Sequence, residues 1–309
     1  MEGWFRGDGA LARIPLLADR FRELLLEETR QELGEHFLYY VPWMAVRSKC
    51  ASLRSLMKEP LPAAPPTLLT SQPTLQTLTD VFNDPASHSL GAIVPYDLKA
   101  RIDTAFDGRD GQFVQALEGA KKLLASECPW IHTLLTRIVS YVVPITHRPE
   151  GRPVKRGFST PLCYGAVFLT FEDRAKSLEE ATVELAIDLA HEVGHHSLHT
   201  YQTADPVLQS DLRAPIYSGV KQIERPAIMS LHASAALLFM IEASARLATN
   251  RQLAPIAREH AAKRFTWMIG QQRMALDAIQ NKVVPTTLGA HIIKEMEEQL
   301  TEVQSLDVS

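Results

Sequence analysis

The chain has 309 residues, 46% of them hydrophobic and 22% charged, which excludes disorder of the whole chain and gives length for one large domain or two small ones. A net charge of -4 excludes the strongly basic balance that drives non-specific binding to nucleic acid. The first residues, MEGWFRGDGALARIPLL, lack a basic, apolar and cleavable signal, and no uninterrupted apolar run reaches the roughly 18 residues that span a bilayer. Cys50, Cys128 and Cys163 are far apart and odd in number, without the spacing of zinc knuckles or redox pairs, so the expectation is a soluble protein of a reducing cytoplasm.

From about Leu11 to Lys58 apolar residues recur at helical spacing, as in LLADRFRELLLEETRQELGEHFLYY. The stretch from Glu59 to Thr74 is rich in Pro, Thr and Ser and reads as a connector. Helical spacing returns between Leu75 and Phe82 and from Asp110 to Ser126, while NDPASHSLGAIVPYD between them is broken by Pro and Gly. Two short β-branched or aromatic runs, Ile138 to Ile145 and Gly165 to Phe171, read as strands joined by the loop HRPEGRPVKRGFSTPLCY.

Ser177 with Glu180 three residues on is a capping-box pattern that opens a long amphipathic helix. Pro206 and Pro215 bound a loop, Pro226 starts a helix to about Ala248, and Pro255 to Asn281 forms another. The expected class is α+β, predominantly helical, with a small β-sheet beside the metal-binding helix. The expected division is a helical region over residues 1–130 and a metal-binding region over residues 131–309, or one continuous domain.

The metal-binding helix earns that name from AHEVGHH. His191 and His195, four apart, project from one helical face and can offer two imidazole nitrogens to one divalent ion. Glu192 stands beside the ion's open position, where a zinc peptidase uses a glutamate to polarise water. The bland alternative is a helix whose histidines cap its C-terminal dipole, as His196 and His199 could do.

Two ligands rarely suffice, and the downstream choices are His232, Glu242, Glu224, His199, Asp205 and Asp211. His232 is the first choice, because a lone imidazole in the apolar AIMSLHASAALLFMIEASARL must find a partner, although a backbone carbonyl could also serve. Glu242 is the carboxylate rival, ten residues and nearly three turns further on. Arg225, just before Pro226, could clamp a carboxylate over the metal, with Arg213 a weaker choice, and the plain alternative pairs Arg225 with Glu224 or water.

Beyond the motif, an ordered set of segments from about Trp130 to Leu300 resembles the HExxH-type α-ketoglutarate-dependent peptide β-hydroxylases of natural-product biosynthesis. GFSTPLCYGAVFLTF, AHEVGHHSLHTYQTADP, RAPIYSGVKQIERPAIMSLHASAALLFM and VVPTTLGAHIIKEM follow one another as that family's strand, metal helix, Arg-Pro and histidine region, and closing Thr-x-x-Gly turn. The resemblance implies an iron(II)-dependent dioxygenase that hydroxylates an amino acid or peptide, free or bound to a carrier or leader. Its iron would be held by His191, His195 and His232, with α-ketoglutarate as cosubstrate against Arg225. Val193 and Gly194 inside the motif, and Ala233 to Ala236 after the histidine, are smaller than the family's residues, which implies a wider substrate space. An all-histidine iron set departs from the usual two histidines and a carboxylate, and Glu192 or Glu242 could supply the anion. The competing readings are a zinc-dependent HExxH metallopeptidase and a helical binding protein with structural histidines.

Overall fold

A computed structural model describes residues 5–33, 66–68, 102–103, 110–147, 157–159, 165–170, 177–202 and 204–306. Its elements run α1 (Gly7–Leu33), β1 (Thr67–Leu68), β2 (Ile102–Asp103), α2 (Asp110–Glu127), α3 (Pro129–Ile138), β3 (Tyr141–His147), β4 (Gly157–Ser159) and β5 (Ala166–Thr170). There follow α4 (Leu178–Gln202), β6 (Pro215–Ser218), β7 (Ile223–Pro226), α5 (Ala227–Thr249), α6 (Pro255–Lys282) and α7 (Thr287–Gln304). The class is α+β and mainly helical. The readings of residues 34–58 and 75–82 as helix lie outside the described residues, as does the broken segment between Asn83 and Asp97.

Two compact units interleave along the chain rather than meeting at one point near residue 130. One comprises Ala18–Val114 and Thr136–Asp173, the other Met1–Leu17, Gln115–Leu135 and Arg174–Ser309. In the first unit, β3 and β5 pair in parallel from Tyr141↔Ala166 to Ile145↔Thr170. Strand β5 is buried throughout, which is why it is apolar from Ala166 to Leu169 rather than alternating. The first strand begins three residues later than its apolar run suggests, because Ile138 closes α3, an element the sequence reading omits. The loop between the strands is not all loop. Its β4 pairs antiparallel with β5 and stacks Phe158 on Phe168 at 4.6 Å. Likewise the Pro-rich connector contributes β1, parallel to β3.

The second unit is built round α5, whose residues are buried on every side. By length and composition α5 could cross a membrane, but 94% of its apolar window is buried inside the protein, so it is a core helix. It packs on α4, α6 and α7, and the hairpin β6–β7 leads into its first turn through Pro226. Its one buried carboxylate, Glu242, is 3% exposed and held by Arg6 at 3.2 Å, Arg246 at 3.5 Å and the Gln299 amide at 2.8 Å. Two cations and an amide donor satisfy a carboxylate held away from water. The same N-terminal segment seats Phe5 edge-on against Phe239, with ring centres 5.3 Å apart.

A knot at the far end ties the exit of α4 to the entry of α7. Asp205 accepts from the Val207 amide and the Thr286 hydroxyl, each at 2.6 Å, and the Val207 carbonyl accepts from the Thr286 amide at 3.0 Å. Thr286 also caps α7 by accepting from the Gly289 amide at 3.0 Å. Val207 pays for this closure with a left-handed backbone, φ 60°, that a β-branched residue seldom adopts. The Thr-x-x-Gly segment is therefore a cap plus a close approach, since a Cβ on Gly289 would stand 1.8 Å from the Val207 carbonyl oxygen.

Gly289→Ala should accordingly lower stability by about 3 kcal/mol or more, beyond the usual cost of a point substitution. Gly270→Ala, on an exposed stretch of α6 with nothing within 4 Å of the added Cβ, should raise stability by roughly 0.5–1 kcal/mol. Urea unfolding of both variants checks the pair, and equal effects would contradict the close approach at Val207.

Candidate metal centre

Helix α4 begins where the Ser177 hydroxyl accepts from the Glu180 amide at 3.1 Å, as the capping pattern requires. It continues to Gln202, two turns past the motif, so the histidines do not end the helix. Spacings of four, eight and eleven residues put His191, His195, His199 and Gln202 on one face. Helix α5 runs antiparallel along that face, with Met240 beside His191, Ala236 beside Gly194 and His232 beside His199.

Gly194 makes this approach possible. A Cβ there would lie 2.8 Å from Ala236 Cα and 3.1 Å from the Phe239 ring. The small residues within the motif and after His232 thus serve helix contact: Gly194 and Ala236 meet each other, and Val193 and Ala235 are fully buried. This corrects the expectation that they widen a substrate space.

At the motif, His191 Nε2 and His195 Nε2 stand 3.1 Å apart. Two nitrogens bound to one ion at about 2.1 Å, with a ligand angle between about 90° and 109°, would be roughly 3.0–3.4 Å apart. The pair fits a shared cation, although an N–H···N hydrogen bond could also produce the separation. Glu192 lies with them, 2% exposed and with an oxygen 3.9 Å from His191 Nε2, and the ligand atoms of all three residues fall within 4.8 Å of one another. The donor set that converges is therefore two imidazoles and a carboxylate.

His191 is further fixed by its Nδ1, which sits 2.8 Å from the Met240 sulfur. An N–H at Nδ1 leaves the lone pair on Nε2, the atom facing His195. Burial, followed by repulsion from the neighbouring imidazoles led by His191, holds His195 well below the usual histidine range. It is therefore neutral and able to ligate at pH 7.

His232 is on the second helix beside this group but not within it. Its ring centre is 5.7 Å from that of His195 and 4.1 Å from that of His199, and its Nε2 lies 2.8 Å from Gln202 Oε1. Its Nδ1 is buried and meets no hydrogen-bonding partner. Burial holds His232 well below the usual range too, and lowers His199 to about 4.

The other ligand choices are occupied elsewhere. Glu242 belongs to the Arg6 and Arg246 network, Asp205 to the Val207 and Thr286 knot, Glu224 is exposed and 3.8 Å from Lys282, and Asp211 accepts from the Arg213 amide at 2.9 Å. Glu242 is thus excluded as the missing anion. Arg225, at the end of β7, is half-buried, and its guanidinium contacts the Met229 sulfur at 3.8 Å rather than Glu224. Burial lowers its pKa, the direction expected of a desolvated cation. Arg213 is exposed on the turn before β6.

Two residues touching the site escaped the sequence reading. Gln202 was legible, since it stands eleven residues after His191 and returns to the same face. Nothing in the sequence marked Met240, which looks like any other core residue of α5. No protein-family model matches the chain, and neither does any curated protein.

The neutral imidazoles make the metal-free protein acid-sensitive. Below about pH 6.5 the unfolded chain takes up protons that buried His199 accepts only near pH 4, so stability falls as pH drops through that window. Each such histidine contributes up to about 1.4 kcal/mol per pH unit. Denaturant midpoints of metal-free protein should decline from pH 7 to pH 4.5, and His199→Asn should flatten the decline. A midpoint unchanged over that range would refute neutral burial.

Proposed function

We propose that the protein is an iron(II)- and α-ketoglutarate-dependent dioxygenase that hydroxylates an amino acid or peptide, acting in the cytoplasm in natural-product biosynthesis. The observation that carries this reading is the convergence of His191, His195 and Glu192, because two histidines and one carboxylate are the donor set of non-haem iron oxygenases. Iron(II) bound with α-ketoglutarate and dioxygen supplies the capacity to replace a C–H hydrogen by hydroxyl.

The chain's own residues divide the remaining work. His191 and His195 present ring nitrogens from one helical face, and Glu192 offers a carboxyl oxygen in a nearly dry setting beside them. His232 is the further ligand supplied by α5, adjacent in space and short of one partner. Arg225 is a half-buried guanidinium that meets no carboxylate among the described residues, as a cosubstrate acid would require. Arg213, being exposed, is the weaker choice.

A zinc metallopeptidase is the alternative, favoured by Glu192 standing beside His191 in the position of a general base. It is disfavoured by Glu242, the downstream glutamate such an enzyme would use as its third ligand, being committed to Arg6 and Arg246.

Protein purified without oxygen should contain about one iron per chain and convert α-ketoglutarate to succinate. His191→Ala and His232→Ala should each reduce that turnover by roughly 100-fold or more. Arg225→Ala should raise the KM for α-ketoglutarate about tenfold while leaving kcat close to wild type. Bound zinc with peptide cleavage and no succinate would replace this reading by the peptidase, and a folded protein that binds no metal would leave the histidines structural.

A further inference from the structure

We infer that Gln202 is a positioning residue that fixes the tautomers of His199 and His232, so that His232 offers Nδ1, not Nε2, to the metal centre. The inference rests on the reading of His232 as a ligand and adds which atom it uses and what selects it.

Gln202 Oε1 is approached by two rings at once, His232 Nε2 at 2.8 Å and His199 Nδ1 at 3.3 Å. A carbonyl oxygen has two lone pairs and no proton, so both ring nitrogens must donate to it. A neutral imidazole carries one N–H, which leaves the lone pairs on His232 Nδ1 and His199 Nε2. The His232 side is the informative one, because Nδ1 is buried with no hydrogen-bonding partner. If the amide were turned to present its NH2, that atom would be a buried N–H without an acceptor, which burial penalises. With Oε1 facing the rings it is a buried lone pair, which a cation can satisfy.

The arrangement parallels His191, where Nδ1 is engaged by Met240 and Nε2 is presented. It inverts the choice of nitrogen, because His232 reaches the group from the facing helix. Metal-bound histidines are ordinarily held by such an outer partner on the other ring nitrogen, and its loss typically costs 10–100-fold in metal affinity. Gln202 lies one turn past His199 and three past His191, so the helix that carries the first two histidines also orients the third.

The test is nitrogen-15 NMR of the histidine rings in the full-length metal-free protein, with His232 and His199 assigned by their alanine variants, followed by cobalt(II) titration. His232 is expected as the Nε2–H tautomer in wild type and as a mixture in Gln202→Leu. Cobalt(II) affinity should fall about tenfold or more in Gln202→Leu and recover in Gln202→Glu, which restores an acceptor. A His232 ring protonated at Nδ1 in wild type, or a Gln202→Leu protein with unchanged tautomer and affinity, would overturn the proposal. If instead the Nε2–H tautomer is present but His232→Ala binds cobalt(II) as wild type does, Gln202 keeps its orienting role and His232 loses its place as ligand.

Discussion

Everything at the centre depends on how closely α4 and α5 approach at Gly194. A side chain there would meet the backbone of Ala236 and the ring of Phe239, so the helices could not lie close enough for residues of one to touch imidazoles of the other. Helix contacts at this distance use small residues, and the alanines of α5 supply the matching surface. The consequence is a two-helix arrangement in which α4 carries His191, Glu192 and His195 together, while α5 sets Met240 against His191 and His232 beside His195.

Close packing also sets the electrostatics. Burial drives His195, His199 and His232 toward the neutral form, and neighbouring imidazoles add repulsion at His195 and His232. Neutral imidazole is the form able to bind a metal ion. The acid in the same helix pair has partners of its own. Glu242 is engaged by Arg6, Arg246 and Gln299, which makes it a tie between the N-terminal segment, α5 and α7.

Local patterns were legible wherever the physics is local. Ser177 and Glu180 opened α4 as a cap must, Pro255 began α6, and the i, i+4 spacing placed His191 and His195 together before any tertiary contact was known. Elements stabilised by distant partners were not legible. The strand in the Pro-rich connector exists because β3 lies alongside it, and β4 exists because β5 does. The hairpin β6–β7 carries Arg225 in a stretch between the Pro206–Pro215 loop and the Pro226 helix to which the sequence reading assigned no element.

By itself the sequence determined that His191 and His195 share a helical face, since the geometry of an α-helix converts spacing directly into a shared face. It also determined the mainly helical class, through apolar periodicity. Only the tertiary structure decided that Glu242 is structural, that Gly194 serves packing rather than substrate space, and that Gln202 and Met240 attend the imidazoles. These facts depend on which residues of α4 and α5 lie opposite one another, and that register is set by side-chain packing across the interface rather than by any spacing along the chain.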